Sequence, residues 1–167
     1  RALKGDILFK RKFHADEINY MINNFYHPWH SNLKRIIDSI YYKFNKAVLL
    51  DVHSMPDGKN LPDFIIGDRY KKSCDDYLVS FVKNLLENMD YSVGYNNPYA
   101  GGFITSEYHD SNKNISTLQL EINRKLYMNE DNFSKIDSFS KLRSDISILV
   151  EDLSEILIEK GFIRIIN

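Results

Sequence analysis

The sequence predicts an α/β domain with a mixed, partly parallel sheet. Two strand-like segments end in polar residues, Ala47–Pro56 (AVLLDVHSMP) and Thr117–Arg124 (TLQLEINR). Between them, apolar residues recur at helical spacing from Tyr77 to Met89, and Tyr91–Tyr95 follows as a further strand. A strand, a helix and a strand in this order form a βαβ unit, which implies a parallel pair with a right-handed crossover.

The composition indicates a single domain with one sizeable core, because 43% of the 167 residues are apolar and 13% are aromatic. The formal net charge of −1 gives no electrostatic footprint for nucleic acid or an anionic membrane, so neither is predicted as a partner. Cys74 is the only cysteine, which excludes an internal disulfide. No apolar run approaches the ~18 residues of a membrane span, and the first residues lack the apolar core of a signal peptide, which predicts a cytoplasmic protein.

The N-terminal region predicts a short strand at Asp6–Phe9, followed by one long helix or two. Apolar side chains recur at helical spacing from Ile18 to Phe44. Pro28 lies within this pattern, and because proline removes a backbone donor it should kink or break the helix just before Trp29.

The segments that join the strands are predicted from turn and cap residues. Met55–Arg69 contains proline, aspartate and glycine clusters and is predicted to be a loop. Ser73 and Asp76 resemble a capping box that opens the next helix. Phe103–Thr105 is predicted to re-enter the sheet.

The C-terminal region predicts a helix and a final strand. Apolar residues recur at helical spacing from Leu142 to Leu157, and Gly161 suits a helix C-cap. Phe162–Ile166 is then predicted as an edge strand.

The first polar strand end carries Asp51 and His53, which project to the same side because strand residues alternate between faces. An acid and an imidazole at the end of a buried parallel strand suit a metal site or a catalytic cleft. A solvated strand end, in which Asp51 only caps the next turn, would give the same sequence.

The second polar strand places Gln119, Glu121 and Asn123 on one face. Burying such groups without partners would cost roughly 1 to 3 kcal/mol each, so the pattern favours a polar site. A sheet with one face in solvent is the alternative.

Four blocks of sequence together resemble the N-formylglutamate amidohydrolase family, whose members are similar in fold to zinc carboxypeptidases and aspartoacylases. The resemblance covers roughly Tyr26 to Met128, and the four blocks occur in the family's order. They are Asp51–Pro56 (DVHSMP), Pro62–Cys74 (PDFIIGDRYKKSC), Asn97–Thr105 (NPYAGGFIT) and Leu118–Met128 (LQLEINRKLYM).

This resemblance implies a three-layer α/β/α sandwich of the zinc carboxypeptidase-like, or phosphorylase/hydrolase-like, type. Residues 1–167 would form one domain, the C-terminal two thirds of an amidohydrolase domain. The implied reaction is metal-dependent hydrolysis of an N-formyl or other N-acyl amino acid, such as N-formylglutamate. The alternatives are a deacylase for a different N-acyl amino acid and a family remnant that binds a small dicarboxylate without catalysis.

The resemblance also implies roles for the polar strand residues. His53 matches a zinc ligand, and Glu121 matches the carboxylate that acts as general base. Asp51, on the same face as His53, could orient a ligand or a metal-bound water and is counted with Glu121 as catalytic.

Two arginines in the family-like blocks, Arg69 and Arg124, are candidates for holding a substrate carboxylate in a bidentate pair. Either could instead be a structural ion-pair partner. Further candidates for substrate binding lie in the glycine loop and on the second polar strand: Asn97, Tyr99, Gly101, Gly102 and Asn123.

The chain departs from the family pattern ahead of His53. A catalytic zinc normally has three protein ligands, and the histidine and acidic residue that supply two of them in the family have no counterpart here. The remaining zinc ligands are therefore expected upstream of Arg1, and the chain is interpreted as a fragment rather than a metal-free member. His109 is followed by Asp110, where the family usually has glycine.

Other chemistry is less favoured. Ser54 faces away from its neighbour His53 and lies in no nucleophile elbow. Cys74, near a helix start, is more often a small buried residue than a nucleophile. Pro28 between His27 and His30 spoils the helical geometry of a metal-binding pair.

Overall fold

The computed structural model describes residue 9 and residues 11–159. The chain divides into two compact units, Arg1–Asp38 and Ser39–Asn167, so the single-domain interpretation stays a prediction. The predicted strand at Asp6–Phe9, except for an irregular Phe9, lies outside the described residues, as do Gly161 and the strand predicted at Phe162–Ile166. In the described part, no helix is long and apolar enough to cross a membrane.

The N-terminal unit is helical, as the apolar spacing predicts. Helix α1, Ala15–Met21, passes into a π-helical segment, Ile22–Tyr26, which is followed by α2, His27–Phe44. Proline tends to clash with the carbonyl four residues before it, and a π-bulge widens the turn at that point. The predicted disruption before Trp29 is therefore present as a π-helical segment that ends at Tyr26, two residues before Pro28.

The sheet belongs to the second unit and contains four strands: β1 Ala47–Met55, β2 Phe64–Gly67, β3 Val93–Tyr95 and β4 Ile115–Asn123. Their order is β1-β4-β2-β3. Strand β4 is parallel to β1 and antiparallel to β2, whereas β2 is parallel to β3. The predicted mixed, partly parallel sheet is thus confirmed.

Three α-helices of different lengths accompany the sheet: α3 Asp76–Asn88, α4 Phe103–Glu107 and α5 Phe139–Glu159. Short 3-10 turns form at Ser111–Lys113 and Arg124–Leu126. The core forms between one face of the sheet and helices α3 and α5. It is built from these buried residues: Phe64, Ile66, Cys74, Leu78, Val79, Val82, Leu86, Leu118, Leu120, Leu142, Leu149 and Leu153.

The connections differ from the sequence prediction. Strand β2 lies inside the segment predicted as a loop, so the βαβ unit joins β2, α3 and β3, while the partner of β1 is β4. Phe103–Thr105 belongs to helix α4 and does not re-enter the sheet. The capping box at Ser73 is also wrong: α3 begins after Asp75, and the buried Ser73 hydroxyl donates instead to the carbonyl of Thr117.

Candidate active site

The second face of the sheet carries the polar side chains of the two strands that the sequence singled out. In the parallel register of β1 and β4, Asp51 lies opposite Gln119 and His53 lies opposite Glu121. The four side chains therefore form two neighbouring rows on one face, as their alternation in sequence predicts.

Hydrogen bonds within each strand fix these rows. His53 Nε2 lies 3.0 Å from Asp51 Oδ1. On β4, Gln119 Nε2 donates to Glu121 Oε1 at 2.6 Å. The predicted zinc ligand His53 and the predicted base Glu121 are thus each bonded to the residue two positions earlier on the same strand.

Burial differs between the two strands. Gln119 and Glu121 are each 6% exposed, whereas the His53 side chain is 48% exposed. The solvent-facing alternative for β4 is therefore wrong, because Gln119 and Glu121 are inside the protein. His53 lies at the open end of the site.

Two buried oxygens on this face lack hydrogen-bond partners among the described residues, Asp51 Oδ2 and Gln119 Oε1. A buried acceptor without a partner costs about 1 to 3 kcal/mol, so such groups in a native protein call for a ligand or water. Asp51 and Gln119 lie opposite each other across β1 and β4, so these two acceptors are neighbours on this face.

The predicted glycine loop lies against this face. Gly67 pairs with Gln119 across β2 and β4, and a Cβ at Gly67 would lie 2.6 Å from the backbone nitrogen of Gly101. Gly101 has a φ of +114°, and a Cβ there would lie 2.9 Å from Arg69 Cγ. A Cβ at Gly102 would be 3.7 Å from Gln119 Oε1. Both glycines predicted to contact a ligand therefore lie next to the polar site. A side chain would displace its neighbours at Gly101, whereas a Cβ at Gly102 would make only ordinary van der Waals contact.

A turn with unusual backbone geometry presents Arg69. Three successive residues that are not glycine, Arg69, Tyr70 and Lys71, have φ values of 56°, 57° and 67°. Residues with side chains rarely adopt this left-handed conformation, and its strain persists only where surrounding contacts enforce it. One such contact is the hydrogen bond from Arg69 N to Ala100 O at 2.6 Å, which joins the turn to the glycine loop.

Asp68 anchors this turn and was not identified from the sequence. Its fully buried carboxylate accepts hydrogen bonds from the Lys71 backbone nitrogen, from Asn96 Nδ2 at 2.7 Å and from the Tyr95 hydroxyl at 2.6 Å. Burial and the bond to Asp68 raise the pKa of Tyr95 to about 12. The signal that could indicate Asp68 is its position directly after a buried strand, but the sequence predicts a loop where that strand, β2, lies.

The two candidate arginines have different surroundings. Arg124 donates to Ser54 Oγ at 3.3 Å and pairs with Glu130 at 3.2 Å, so its guanidinium is already engaged. The Arg69 side chain is half-buried, and its guanidinium has no hydrogen bond or ion pair within the described part of the chain. Arg69 is therefore the arginine left available for a ligand.

The remaining predicted substrate-binding residues are placed differently. Asn123 is fully buried, and its side chain donates to Pro62 O and Asp57 Oδ1 and accepts from Lys125 N. These bonds attach the β1–β2 loop to the end of β4. Asn97 is exposed and Tyr99 is half-buried in the loop that leads to Gly101, and their roles stay predictions.

The other reactive side chains contribute no nucleophile. Burial raises the pKa of the Cys74 thiol to about 12, with added repulsion from Asp75 and Asp68. A thiolate is therefore disfavoured at neutral pH. His109 Nδ1 lies 2.8 Å from the Ile115 carbonyl, to which it must donate. The His30 ring packs against that of Tyr26, with the ring centroids 4.2 Å apart and the planes tilted by 49°.

The donor set does not complete a metal centre. Among residues 9 and 11–159, no group of three or more histidine, cysteine, aspartate or glutamate side chains is arranged to hold a metal ion. His53 and Asp51 alone do not complete a zinc site, since such sites use three or four protein ligands.

Comparisons with known proteins agree on one family. The sequence pattern of the N-formylglutamate amidohydrolases matches residues 1–128. An N-formylglutamate deformylase of Pseudomonas putida is 34% identical over 137 residues, which are 76% of this chain and 51% of that protein.

Solved structures show the same relationship. N-formylglutamate amidohydrolase from Ralstonia eutropha JMP134 superposes with a TM-score of 0.86 at 29% identity, over 91% of this chain and 58% of that one. A gene product of Agrobacterium tumefaciens shares the fold, with a TM-score of 0.61 at 19% identity over 87% of this chain and 57% of that one. The chain thus spans between half and three fifths of the length of these relatives.

Proposed function

Because the chain belongs to the N-formylglutamate amidohydrolase family, we propose that it forms part of a hydrolase that cleaves N-formylglutamate to glutamate and formate. Water adds to the formyl carbon, the C–N bond breaks, and the amine nitrogen takes a proton. The observation that carries the proposal is the face on which His53 and Asp51 lie beside Gln119 and Glu121. The fold of the complete protein is proposed to be the three-layer, zinc carboxypeptidase-like sandwich.

Glu121 is the general base in this proposal. Gln119 Nε2 holds Glu121 Oε1, and no hydrogen bond to Oε2 lies within the described residues. Oε2 is therefore left to take a proton from the attacking water and to return it to the leaving nitrogen. The burial of Glu121 strengthens its interactions with a reacting group, because the local dielectric is lower than in water.

Asp51 fixes the tautomer of His53. An ionised carboxylate only accepts hydrogen bonds, so His53 Nε2 carries the proton and Nδ1 keeps its lone pair. A carboxylate behind an imidazole is the usual support of a metal-ligating histidine. This pair supports the proposal that His53 is a zinc ligand and Asp51 its orienting partner.

We propose that the remaining zinc ligands come from outside the described residues, which do not complete a site. Zinc would polarise the formyl carbonyl and lower the pKa of the attacking water. Arg69 is proposed to hold a substrate carboxylate, since its aliphatic stem passes close to Gly101 at the site and its guanidinium is unpaired within the described chain.

The experiment measures formate release and zinc content of the full-length protein. His53→Ala should lose zinc and activity together, whereas Glu121→Gln should keep zinc and lose about 100-fold to 10,000-fold in turnover. Glu155→Gln, at an exposed position on α5, is the matched control and should keep both.

Loss of zinc from Glu121→Gln would reassign Glu121 as a ligand. If the wild-type protein, loaded with zinc, released no formate from any N-formyl amino acid but bound glutamate, the chain would be a binding module instead.

A further inference from the structure

Gln119 has a free acceptor that the proposed mechanism does not use. Its side chain is buried, and its amide nitrogen donates to Glu121 Oε1 at 2.6 Å. Since an ionised carboxylate cannot donate, the amide nitrogen must face Glu121, and Oε1 must point away from it. This oxygen is fully buried and has no hydrogen-bond partner among the described residues.

Among the described residues, no hydrogen-bond donor lies within reach of this oxygen. On β2 the residue opposite Gln119 is Gly67, which has no side chain, and on β1 it is Asp51, whose Oδ2 also lacks a partner in the described chain. Gly102 approaches from the loop, where an added Cβ would lie 3.7 Å from Gln119 Oε1. The site therefore offers acceptors beneath a glycine loop and suits a ligand that brings an N–H group.

The substrate proposed above has such a group. A formylated amino acid is a secondary amide with one carbonyl acceptor and one N–H donor. A buried site built to accept a hydrogen bond also discriminates strongly against analogues that lack the donor. This step rests on the proposed function and adds to it the recognition of the scissile amide.

We propose that Gln119 Oε1 accepts a hydrogen bond from the N–H of the scissile amide and makes the enzyme selective for amides that carry this hydrogen. The same side chain then links the substrate nitrogen to Glu121 through one carboxamide group. When the C–N bond breaks, Glu121 delivers the proton it took from water to this nitrogen, and Gln119 keeps the original N–H in place. The products are formate and the free amine.

The test compares two substrates that differ only in this hydrogen. N-formylglutamate carries the N–H, whereas the formate ester of 2-hydroxyglutarate has an oxygen there and keeps both carboxylates. In the full-length, zinc-loaded protein, Gln119→Met removes both polar atoms at similar side-chain length. We expect it to lower kcat/KM for the amide at least about tenfold more than for the ester, since only the amide loses a hydrogen bond to a buried acceptor.

Equal losses on both substrates would overturn the proposal, because they would show that Gln119 only positions Glu121. Asn84→Met, at an exposed position on α3, should leave the amide-to-ester ratio unchanged. If Gln119→Met fails to fold, Gln119→Asn serves instead, because the shorter asparagine side chain cannot contact Glu121 and the substrate together. The same fall in the amide-to-ester ratio of kcat/KM is expected for this variant. If the wild-type protein cleaves both the amide and the ester, and neither Gln119 variant changes the amide-to-ester ratio of kcat/KM, this inference alone is refuted. If the wild-type protein cleaves neither substrate, the proposed function is refuted.

Discussion

Arg69 and Arg124 are the two arginines that the sequence predicts to bind a substrate carboxylate, and their contacts in the structure differ. Arg124 is paired with Glu130 and bonded to Ser54, so a ligand would have to compete with existing partners. The Arg69 guanidinium has no such competitor in the described chain, and its stem passes Gly101. The distinction leads to a kinetic prediction.

Arg69→Lys should lower kcat/KM for N-formylglutamate about 10-fold to 100-fold, because lysine cannot form the bidentate pair of a guanidinium with a carboxylate. Comparison with N-formylglutamine identifies the carboxylate: a loss confined to N-formylglutamate assigns Arg69 to the side-chain carboxylate. Equal loss on both substrates assigns it to the α-carboxylate. Arg124→Lys is the matched variant and should affect both substrates alike and by less than about threefold. A larger, glutamate-specific loss in Arg124→Lys would show that Arg124, and not Arg69, holds the side-chain carboxylate.

Individual residues of the site were predictable where alternation along a strand decides which way they face. Asp51, His53, Gln119 and Glu121 share one face because each pair is two residues apart. Asp68 was not predictable in this way, because its role depends on Asn96 and Tyr95, which are 28 and 27 residues further along the chain. Nothing local in the sequence indicates a contact of that range.

Among the structural elements, the left-handed turn at residues 69–71 depends on a carboxylate outside it. Asp68 accepts bonds from Lys71 N, Asn96 and Tyr95, and these tie the turn to the last residue of β3 and the residue after it. A strained backbone conformation is kept only while such contacts outweigh its cost of about 1 to 3 kcal/mol per residue. The turn should therefore be sensitive to loss of Asp68.

Asp68→Ala should lower the free energy of unfolding by about 3 to 5 kcal/mol, because it removes the acceptor of one buried donor, Asn96 Nδ2, and of two part-buried donors, Lys71 N and the Tyr95 hydroxyl. Tyr95→Phe is the milder comparison: it removes one hydrogen bond and should cost about 1 to 2 kcal/mol. Denaturant unfolding of both variants measures the difference. Equal and small changes, below about 0.5 kcal/mol, would show that Asp68 does not hold the turn.

The elements that sequence patterns missed are those in which short segments carry ambiguous signals. Strand β2, FIIG, is only four residues long and is buried on both faces, so it shows no alternation. Helix α4 begins FIT, whose residues favour strands, yet Thr105 and Thr117 hydrogen bonds fix it as a helical turn on β4. By contrast, α3 and α5 have the long periodic faces that make helices predictable.

For the molecule as a whole, the class of fold followed from the sequence because polar strand ends and amphipathic helices alternate along it. The strand order β1-β4-β2-β3 did not follow, since it depends on pairing β1 with a strand that begins 60 residues after β1 ends. The part of the site on β1 and β4 was therefore predictable as two separate strands, but not as one paired surface.

Retention of zinc should differ between this chain and the full-length protein. The described residues offer His53 with Asp51 behind it, but no group of three metal-binding side chains. The affinity of a zinc site depends strongly on the number and geometry of its ligands, and a single histidine cannot close a tetrahedral site. The 167-residue chain alone should therefore bind zinc weakly enough for a chelator to remove it readily, whereas the full-length protein should retain about one zinc per chain.

Metal analysis of both proteins after dialysis against a chelator measures this difference, and His53→Ala in the full-length protein tests whether the retained zinc is the one proposed here. That variant should lose the metal, while His27→Ala, which removes an exposed histidine of the N-terminal unit, should keep it. Stoichiometric zinc that resists the chelator in the 167-residue chain would overturn the prediction, because the ligands would then have to come from this chain itself. Retention of zinc by full-length His53→Ala would remove His53 from the ligand set and leave its bond to Asp51 as a structural contact.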